Sequence, residues 1–540
     1  MTKYCKKSLL GMGCHDKDWG IYALHQDQEC FLNHVIERSH QELIDRYGHG
    51  EALIQMLQQT LDKEFHCMKA HPWSCDPKDN WTFWTSIQDE LNRGASASQL
   101  LKVIIQRYAY ATSSQFSIAH YKRLEKMATW TFKTLLRPHG LCKKDPTRGN
   151  LLERFHICGE FDMVRSLSKV GTLVFVPSHV SNWDSIVLGF AMYHLGIPPL
   201  SWGAGLNLFE NFFFRAVFGQ LGAYKVDRRK KTIPYLQAQK NYVAHLLERG
   251  CHTTFYPGGG RNRQGTVDRE LRRGFLRAVF QTQCHMYQNQ SGQPRKLFLV
   301  PVVISYHTVQ DAPELGYRAR SGSIPFWGHV HALYKTLVAW KNMLMKGSEI
   351  FVNIGQPLDV FGHDIGAGGQ SYDHGRVVDL VAYLSDLITE GQDQCGHYVN
   401  ILSRRIVERY ERLNQVLSSH LVAFVAYELI KERSLEQSMA IKMDHFMALL
   451  ATVYQKLSVL YNNREIDFTP VVMHGNLEAI VSDGLYYLGN QHATPPLAMG
   501  GRHRLLVQDK ALLLYYHNKL VGYGLERESA YQQSCHHWSR

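Results

Sequence analysis

The sequence predicts an α/β protein with a largely parallel central sheet flanked by helices, a helical N-terminal region and a mostly helical C-terminal region. In the middle of the chain, short apolar runs alternate with amphipathic stretches, which is typical of strands that alternate with helices. Apolar residues three and four positions apart dominate both flanking regions, as expected for helices. We therefore predict a helical region over 1–150, an α/β domain over 151–360 and a mostly helical domain over 376–540.

The predicted elements of the first two regions follow in chain order. The series Leu53, Met56, Leu57 and Leu61 has helical spacing, and the Gly and Pro residues of 138–150 mark a boundary. Five apolar runs predict strands at 172–176, 222–226, 252–256, 297–306 and 349–354. Helices are predicted between these strands at 185–195, 235–248 and 270–282.

The last third of the chain begins with a glycine-rich tract over 362–375, which predicts a loop or a linker. Helical spacing then returns over 376–460. The tail contains two short runs, at 504–507 and 512–516, whose composition predicts strands.

The composition favours a reducing compartment and anionic partners. The chain has 60 Lys and Arg against 48 Asp and Glu, a formal charge of +12 that suits phosphorylated small molecules, an anionic bilayer, an acidic carrier protein or nucleic acid. Its 11 cysteines include no Cys-x-x-Cys pair, which argues against a zinc site and a disulfide framework. The N-terminus lacks the apolar core of a signal peptide, and no uncharged apolar run reaches the roughly 18 residues of a spanning helix. Membrane contact is therefore expected to be peripheral or monotopic.

The first candidate for chemistry is the pair His179 and Asp184, which directly follows a buried-strand run. A loop at the carboxyl end of such a strand is where an α/β sheet usually binds its ligand. An imidazole there can take a proton from an alcohol, and a carboxylate can fix its tautomer. The alternative is a histidine that only shapes a turn, because the same spacing occurs at three other places: His40 and Asp45, His71 and Asp76, and His374 and Asp379.

The second candidate is the loop that follows the strand at 252–256. It contains three successive glycines and two arginines: Gly258, Gly259, Gly260, Arg261 and Arg263. Glycines let backbone amides approach an anion closely, and guanidinium groups suit phosphate oxygens. The alternative is a flexible surface turn with solvated arginines. A nucleotide P-loop is disfavoured because the Gly-Lys-Ser/Thr ending is absent.

Two further segments are less specific by themselves. Residues 221–231 lead a strand into a basic cluster that includes Arg228, which is either a second set of phosphate ligands or a solvated turn. Residues 299–306 have the composition of a central strand, in which Pro301 is unusual.

Taken together and in this order, the four segments resemble the motif blocks of the glycerol-phosphate acyltransferase superfamily. The matching residues are 179–184 for His-x4-Asp, 222–228 for a strand that enters Arg, 256–263 for aromatic-x-Glu-Gly-x-Arg-Ser-Arg and 300–303 for Val-Pro-Val. Residues 350–358, 403–407, 416–423 and 514–518 are similar to segments of the large bacterial glycerol-3-phosphate acyltransferases. Residues 1–150 carry no resemblance.

Four positions depart from the family pattern. Gly258 stands where the family usually has Glu, and Asn262 stands between the arginines in place of Ser. Asp227 takes the place of the first of two arginines in the second block, and Val180 replaces an Arg after the histidine. The histidine, its carboxylate partner and most of the phosphate ligands are retained.

The resemblance implies the glycerolphosphate acyltransferase fold and transfer of a fatty acyl group from acyl-CoA or acyl carrier protein to glycerol 3-phosphate, which forms lysophosphatidic acid in phospholipid synthesis. It implies His179 as base, Asp184 as its orienting partner, and a phosphate site formed by Arg228, Arg261 and Arg263. Backbone amides of Gly258, Gly259 and Gly260 are expected near the developing oxyanion, and Pro301 on a strand of the acyl site. No metal or redox cofactor is expected.

Alternatives remain open for the acceptor, the class of protein and the membrane surface. The acceptor can also be lysophosphatidate or dihydroxyacetone phosphate, and the chain can be an inactive lipid-binding scaffold of the same fold. Nucleic-acid binding is disfavoured because no recognised module is visible. A position at the cytoplasmic face of the inner membrane is expected, with the aromatic stretch 202–218 or the basic amphipathic stretch 333–346 at the bilayer.

Overall fold

The computed structural model describes residues 3–6, 16–70, 76–136, 151–210, 218–289, 295–309, 311–312, 341–342, 347–384, 394–433, 439–501 and 503–526. The N-terminal region is helical, as predicted, with α1 (Gly20–Gln26), α2 (Gln28–Tyr47), α3 (Glu51–Ala70), α4 (Asn80–Asn92), α5 (Ala97–Thr112) and α6 (Ile118–Leu135). None of the helices in these described residues has the length and apolar character needed to cross a bilayer.

A seven-stranded sheet forms the centre of the protein. Its strands are β1 (Phe155–Gly159), β2 (Gly171–Pro177), β3 (Ser201–Gly205), β4 (Ala223–Val226), β5 (Thr253–Thr254), β6 (Lys296–Tyr306) and β7 (Ile350–Ile354), in the order β1-β7-β6-β2-β5-β3-β4. Every neighbouring pair is parallel except β6 and β7. The predicted α/β class with a largely parallel sheet is therefore confirmed.

Helices cover both faces of this sheet. Those within the domain are α7 (Phe161–Val170), α8 (Asp184–His194), α9 (Ile233–Glu248) and α10 (Arg273–Asn289). Leu173 and Phe175 of β2 point into a core shared with the C-terminal helices, whereas Val174 and Val176 point into a core shared with the N-terminal helices. Successive side chains of a strand face opposite sides, so the two cores lie on opposite faces of the sheet. Both flanking regions contribute to each core, since Phe132 of α6 lies in the first and Tyr410 of the C-terminal region lies in the second.

The C-terminal region is mostly helical, as predicted. Its helices are α11 (Gln394–Leu413), α12 (Ser418–Glu428), α13 (Met443–Asn462), α14 (Pro470–Met473), α15 (Leu477–Asn490) and α16 (Lys510–His517). Short strands lie between them at β11 (Gln415–Val416), β12 (Ala440–Lys442), β13 (Asp467–Phe468), β14 (Leu497–Met499) and β15 (Arg504–Val507).

Two local predictions were wrong. The tract 362–375 is not a linker: it holds β8 (Asp364–Ile365) and β9 (Ser371–Asp373), which form a small antiparallel sheet with β10 (Arg376–Val378). The run 512–516 is helical because Asp509 accepts hydrogen bonds from the first amides of α16. Most of its side chains are buried, so its apolar composition cannot separate a strand from a core helix.

The aromatic stretch near β3 is largely core where it is described. Trp202, Phe209 and Phe218 pack together in a small cluster, and both phenylalanines are buried. Phe212, Phe213 and Phe214, and nearly all of 333–346, lie outside the described residues. The bilayer contact expected there stays a prediction.

Candidate active site

The candidate site lies at the edge of the sheet where strands β2 to β6 end. These strands are mutually parallel, so their carboxyl ends meet at one edge. The loops after β2, β4 and β5 carry the three predicted motifs, and the chain after β6 reaches Asp311. Parallel topology therefore brings to one edge groups that are far apart in the sequence.

His179 and Asp184 form a hydrogen-bonded pair at this edge. Nδ1 of His179 lies 2.8 Å from Oδ2 of Asp184. The chain leaves β2 at Pro177, and α8 begins at Asp184, so one short loop separates the two side chains. The imidazole is 18% exposed, whereas the carboxylate is fully buried. Nδ1 is thus engaged, and Nε2 has no hydrogen-bond partner among the described residues.

The carboxylate of Asp184 is held by three further donors. Its Oδ2 accepts from the backbone amides of Val180 (2.7 Å) and Ser181 (2.9 Å). Its Oδ1 accepts from the hydroxyl of Tyr306 at 2.7 Å. Burial raises the pKa of Tyr306, with a further contribution from Asp184, so this hydroxyl remains a donor. A carboxylate with this many donors is held in one orientation and fixes the ring opposite it.

The loop after β5 holds the backbone of His179 from the other side. The amide of His179 donates to Oδ2 of Asp268 at 3.3 Å, and its carbonyl accepts from the amide of Asn262 at 2.6 Å. The imidazole stacks on the ring of Tyr256, with centroids 4.0 Å apart, and the Tyr256 hydroxyl is 2.8 Å from Oγ of Ser185. The ring is therefore clamped between its carboxylate and an aromatic face.

Arg261 is connected to the histidine loop through a buried acid. Its guanidinium pairs with Oδ2 of Asp311. Oδ1 of Asp311 accepts from the hydroxyl of Ser181 at 3.0 Å, and its Oδ2 lies 3.4 Å from the amide of Asn182. This ion pair uses one edge of the guanidinium, which carries five N–H donors in all. The structure therefore brings Arg261 to the same loop that carries His179.

Arg263 and Arg228 are both exposed, and neither has an ion pair among the described residues. Arg263 follows β5, the immediate neighbour of β2. Arg228 follows β4, three strand spacings or about 14 Å from β2. The backbone of Arg263 therefore leaves the sheet much nearer to His179 than the backbone of Arg228 does.

Two further cations of the basic cluster after β4, Arg229 and Lys230, are paired with acids that come mainly from the N-terminal region. Arg229 pairs with Asp76 and Asp227, and Lys230 pairs with the buried Glu64 of α3. These two cations hold the helical region to the sheet. Among the described residues, they are structural rather than free to bind a phosphate.

Glycine is required at particular positions of the loop after β5. Gly259 has φ of +76°, and a Cβ there would stand 2.3 Å from Nε of Arg272. A Cβ on Gly258 would stand 3.3 Å from Oδ2 of Asp268. Gly258 therefore lies where the resemblance expects Glu, but the nearby carboxylate is that of Asp268. Gly260 has open space around it.

Asn262 organises the same loop. Its side-chain oxygen accepts from the amides of Gln264 and Gly265, both at 3.0 Å. Its side-chain nitrogen donates to Oδ1 of Asp268 at 2.8 Å and to the backbone oxygen of Thr266. An Asn has both a donor and an acceptor, so it satisfies the turn at a position where Ser is the family residue.

Pro301 lies in the buried interior of β6, opposite Val176 of β2. Its carbonyl accepts from the amide of Gly355, and the carbonyl of Val302 accepts from the amide of Ser178 at 2.9 Å. The strand thus anchors the first residue of the histidine loop. In the structure Pro301 acts through the backbone and the core.

We expect Gly265→Ala to destabilise the fold more than Gly94→Ala. Both glycines have positive φ, +79° and +82°, so alanine is strained at each by about 1–2 kcal/mol. A Cβ on Gly265 would also stand 2.1 Å from the carbonyl oxygen of Tyr515, whereas nothing lies within 4 Å at Gly94. This crowding is expected to add about 1–3 kcal/mol. Urea unfolding of both variants measures the difference, and equal losses would contradict the packing of the loop against α16.

A group with metal-ligand chemistry lies at the opposite edge of the sheet. His34, His245 and Glu248 place ligand atoms within 4.8 Å of one another. Nδ1 of His285 and the Arg38 guanidinium also lie against Oε1 of Glu248, at 3.2 and 2.7 Å. The Arg38 cation competes for that carboxylate, so the set is poorly suited to a metal ion.

Sequence reasoning missed several residues of this site. Tyr306, Asp311 and Asp268 carry no spacing signal, because they contact the histidine loop only through the fold. Tyr256 does carry one, since it is the aromatic residue of the third motif block, but no role in the site was predicted for it.

Part of the chain is similar to known acyltransferases. Residues 161–305 match the family model described as Acyltransferase. The glycerol-3-phosphate acyltransferases of Actinobacillus pleuropneumoniae serotype 5b (strain L20), serotype 3 (strain JL03) and serotype 7 (strain AP76) are each 29% identical to this chain over 202 residues. The aligned stretch is 37% of this chain and 23% of each relative, so the match spans less than a quarter of the relatives' length. Residues 161–305 are therefore similar to an acyltransferase domain, and the aligned 202 residues resemble part of a glycerol-3-phosphate acyltransferase.

Proposed function

We propose that this protein transfers a fatty acyl group from a thioester to the hydroxyl of glycerol 3-phosphate. The observation that carries the proposal is the His179–Asp184 pair at the sheet edge, with Arg261 tied to the same loop through Asp311. A base and a phosphate ligand are thus available to one small molecule. The matched relatives are named glycerol-3-phosphate acyltransferases, which favours this acceptor.

In the proposed reaction Nε2 of His179 accepts the proton of the acceptor hydroxyl as the oxygen attacks the thioester carbonyl. The new C–O bond forms, the C–S bond breaks, and the histidine returns the proton to the leaving thiolate. Asp184 stabilises the imidazolium between these steps, and such base catalysis contributes about 10²- to 10⁴-fold. Arg261, Arg263 and Arg228 hold the phosphate so that the hydroxyl meets Nε2.

The remaining predicted contributions concern the carbonyl and the donor. Amides of the turn Gly258, Gly259 and Gly260 are proposed to assist the developing oxyanion. Acyl-CoA and acyl carrier protein are both suitable donors, because each presents a thioester on a phosphopantetheine arm. Arg272 beside Gly259 adds a cation next to this turn. The proposal assigns no step to a metal or redox cofactor.

The test compares acceptors and donors with purified protein. Labelled glycerol 3-phosphate, lysophosphatidate and dihydroxyacetone phosphate are offered with acyl-CoA and, separately, with acyl carrier protein. The proposal expects labelled lysophosphatidate with glycerol 3-phosphate as the best acceptor. Preference for another acceptor would reassign the substrate, and turnover of none by a protein that still binds acyl-CoA would favour the inactive lipid-binding scaffold.

Helix α6 provides the surface that we propose meets an anionic bilayer. Trp130 is 63% exposed and Met127 48% exposed, at helical spacing with exposed Arg123, Lys126 and Lys133. The opposite side of the helix is buried and packs near α8, whose first residue is Asp184. Exposed apolar groups among basic residues suit a lipid interface.

Trp130→Ser is expected to weaken binding to vesicles of phosphatidylcholine with phosphatidylglycerol by about tenfold or more, because an indole in the interface removes large apolar area from water. Trp81→Ser is the matched control, since Trp81 is 49% exposed on a different helix, α4. Sedimentation with vesicles measures both. Equal binding by the two variants would rule out α6 as the membrane surface.

A further inference from the structure

The C-terminal segment covers the loop that carries the proposed phosphate ligands. Nδ2 of Asn518 donates to the carbonyl of Gln264 at 2.8 Å, and the guanidinium of Arg269 donates to the carbonyl of Val521 at 3.3 Å. Tyr515 lies so close to Gly265 that only glycine fits there. Residues 515–521 therefore form one wall beside the candidate site.

One buried polar side chain of this wall lacks a partner, and a second, largely buried side chain carries a charge. Tyr515 is 2% exposed, and its hydroxyl has no hydrogen-bond partner among the described residues. Lys519 is 8% exposed, and the structure gives its ammonium no hydrogen bond or ion pair within the described part of the chain. Tyr515 lies in α16, and Lys519 lies in the short 3-10 helix that follows it directly.

Both side chains are electrostatically coupled to the site. Tyr515 interacts with Asp311, Asp184 and Arg261. Lys519 interacts with Asp268 and Asp184, the two carboxylates that hold the loop of His179. A buried hydroxyl without a partner and a largely buried cation are costly for a protein unless a ligand satisfies them.

We propose that Lys519 and Tyr515 bind the phosphate of the acceptor, so that the C-terminal region completes the site of the α/β domain. This inference rests on the proposed function. The phosphate supplies the acceptor oxygens that both side chains lack, and it lies between them and Arg261. The two residues are binding groups, and His179 remains the base.

The ammonium must be charged for this role, which gives a pH signature. Burial lowers the pKa of Lys519 to about 8, against the opposing effect of Asp268 and Asp184. His420 of α12 also faces it, and burial lowers the pKa of that imidazole to about 3, so His420 stays neutral. Affinity for the acceptor is therefore expected to fall as the pH rises through about 8, where the ammonium is lost.

Stability should change in the opposite direction from binding. Because the pKa of Lys519 is lower in the folded protein than its ordinary value of 10.5, the unfolded chain binds more protons between about pH 8 and 10.5. Stability from this residue therefore rises with pH over that window, and the charged side chain disfavours folding below it. Lys519→Met is expected to raise the melting temperature at pH 7.

The experiment measures Lys519→Met, Lys519→Arg and Tyr515→Phe in the full chain. We expect a rise of tenfold or more in the KM for glycerol 3-phosphate in Lys519→Met and a smaller rise in Tyr515→Phe, with unchanged or increased melting temperatures. Lys519→Arg, which keeps its charge, should retain binding above pH 8. The stabilisation by glycerol 3-phosphate of each protein in thermal unfolding provides a second readout that needs no turnover.

Tyr454→Phe is the control for loss of a tyrosine hydroxyl, because that hydroxyl donates to the carbonyl of Val472 within the C-terminal helices. It should lose stability and keep its KM. Wild-type kinetics in Lys519→Met and Tyr515→Phe would overturn this inference and leave the proposed function standing. Absence of turnover and of ligand stabilisation in the wild-type protein would instead overturn the proposed function.

Discussion

His179→Ala is expected to lower the rate of acyl transfer by at least about 10²- to 10⁴-fold, the usual contribution of a positioned base. Nε2 is the ring nitrogen left available, because Nδ1 is engaged by Asp184. The side chain is partly exposed at the sheet edge, so its removal creates no large buried cavity. The loss should therefore appear in kcat while the thermal midpoint changes little.

His363→Ala is the matched control. Nδ1 of His363 lies 3.0 Å from Oδ2 of the buried Asp359, so the variant loses a similar contact outside the loop after β2. It should keep its acyl-transfer rate. Near-normal turnover in His179→Ala, or equal losses in the two variants, would end the assignment of His179 as the base.

Asp184→Asn is expected to lower kcat by about 10³- to 10⁴-fold with little change in KM. The carboxylate accepts from the imidazole, from two backbone amides and from the hydroxyl of Tyr306. An amide has one oxygen, so it cannot accept from donors on both sides. The imidazole then loses the partner that fixes its tautomer and stabilises its charged form.

Asp359→Asn separates this effect from the general cost of an amide at a buried aspartate. Asp359 also accepts from two backbone amides and one imidazole. Both variants should lose stability to a similar extent. Only Asp184→Asn should lose kcat, and an equal kinetic loss in Asp359→Asn would indicate that folding, rather than the dyad, limits the measured rate.

The sequence was most informative where a pattern is local. Strands β2 and β6 are continuous apolar runs, as parallel strands buried on both faces must be, and both were predicted. Strands β1 and β3 were missed. The first contains His156 and Cys158, and the second has the sequence Ser-Trp-Gly-Ala-Gly, whose Gly203 leaves space for the ring of Tyr224. Neither segment presents an apolar run. Each becomes a strand through its contacts with neighbouring strands, and no local pattern indicates it.

The candidate site likewise contains residues with a local sequence signal and residues without one. His179 and Asp184 are five positions apart, so their spacing could be recognised in the chain. Tyr306 reaches Asp184 across 122 positions, and Asp268 reaches His179 across 89. Such contacts arise from strand order, which one sequence does not specify. They explain how the loop is held although Gly258 replaces the family Glu.

The most direct test of the central claim is thiol release from acyl-CoA, followed with and without glycerol 3-phosphate. A base that activates an acceptor hydroxyl predicts that thiol appears only with the acceptor, in equal amount to lysophosphatidate, and only when His179 is present. Thiol release at the same rate without the acceptor would identify a hydrolase. Undiminished acyl transfer by His179→Ala would contradict the assignment of His179 as the base.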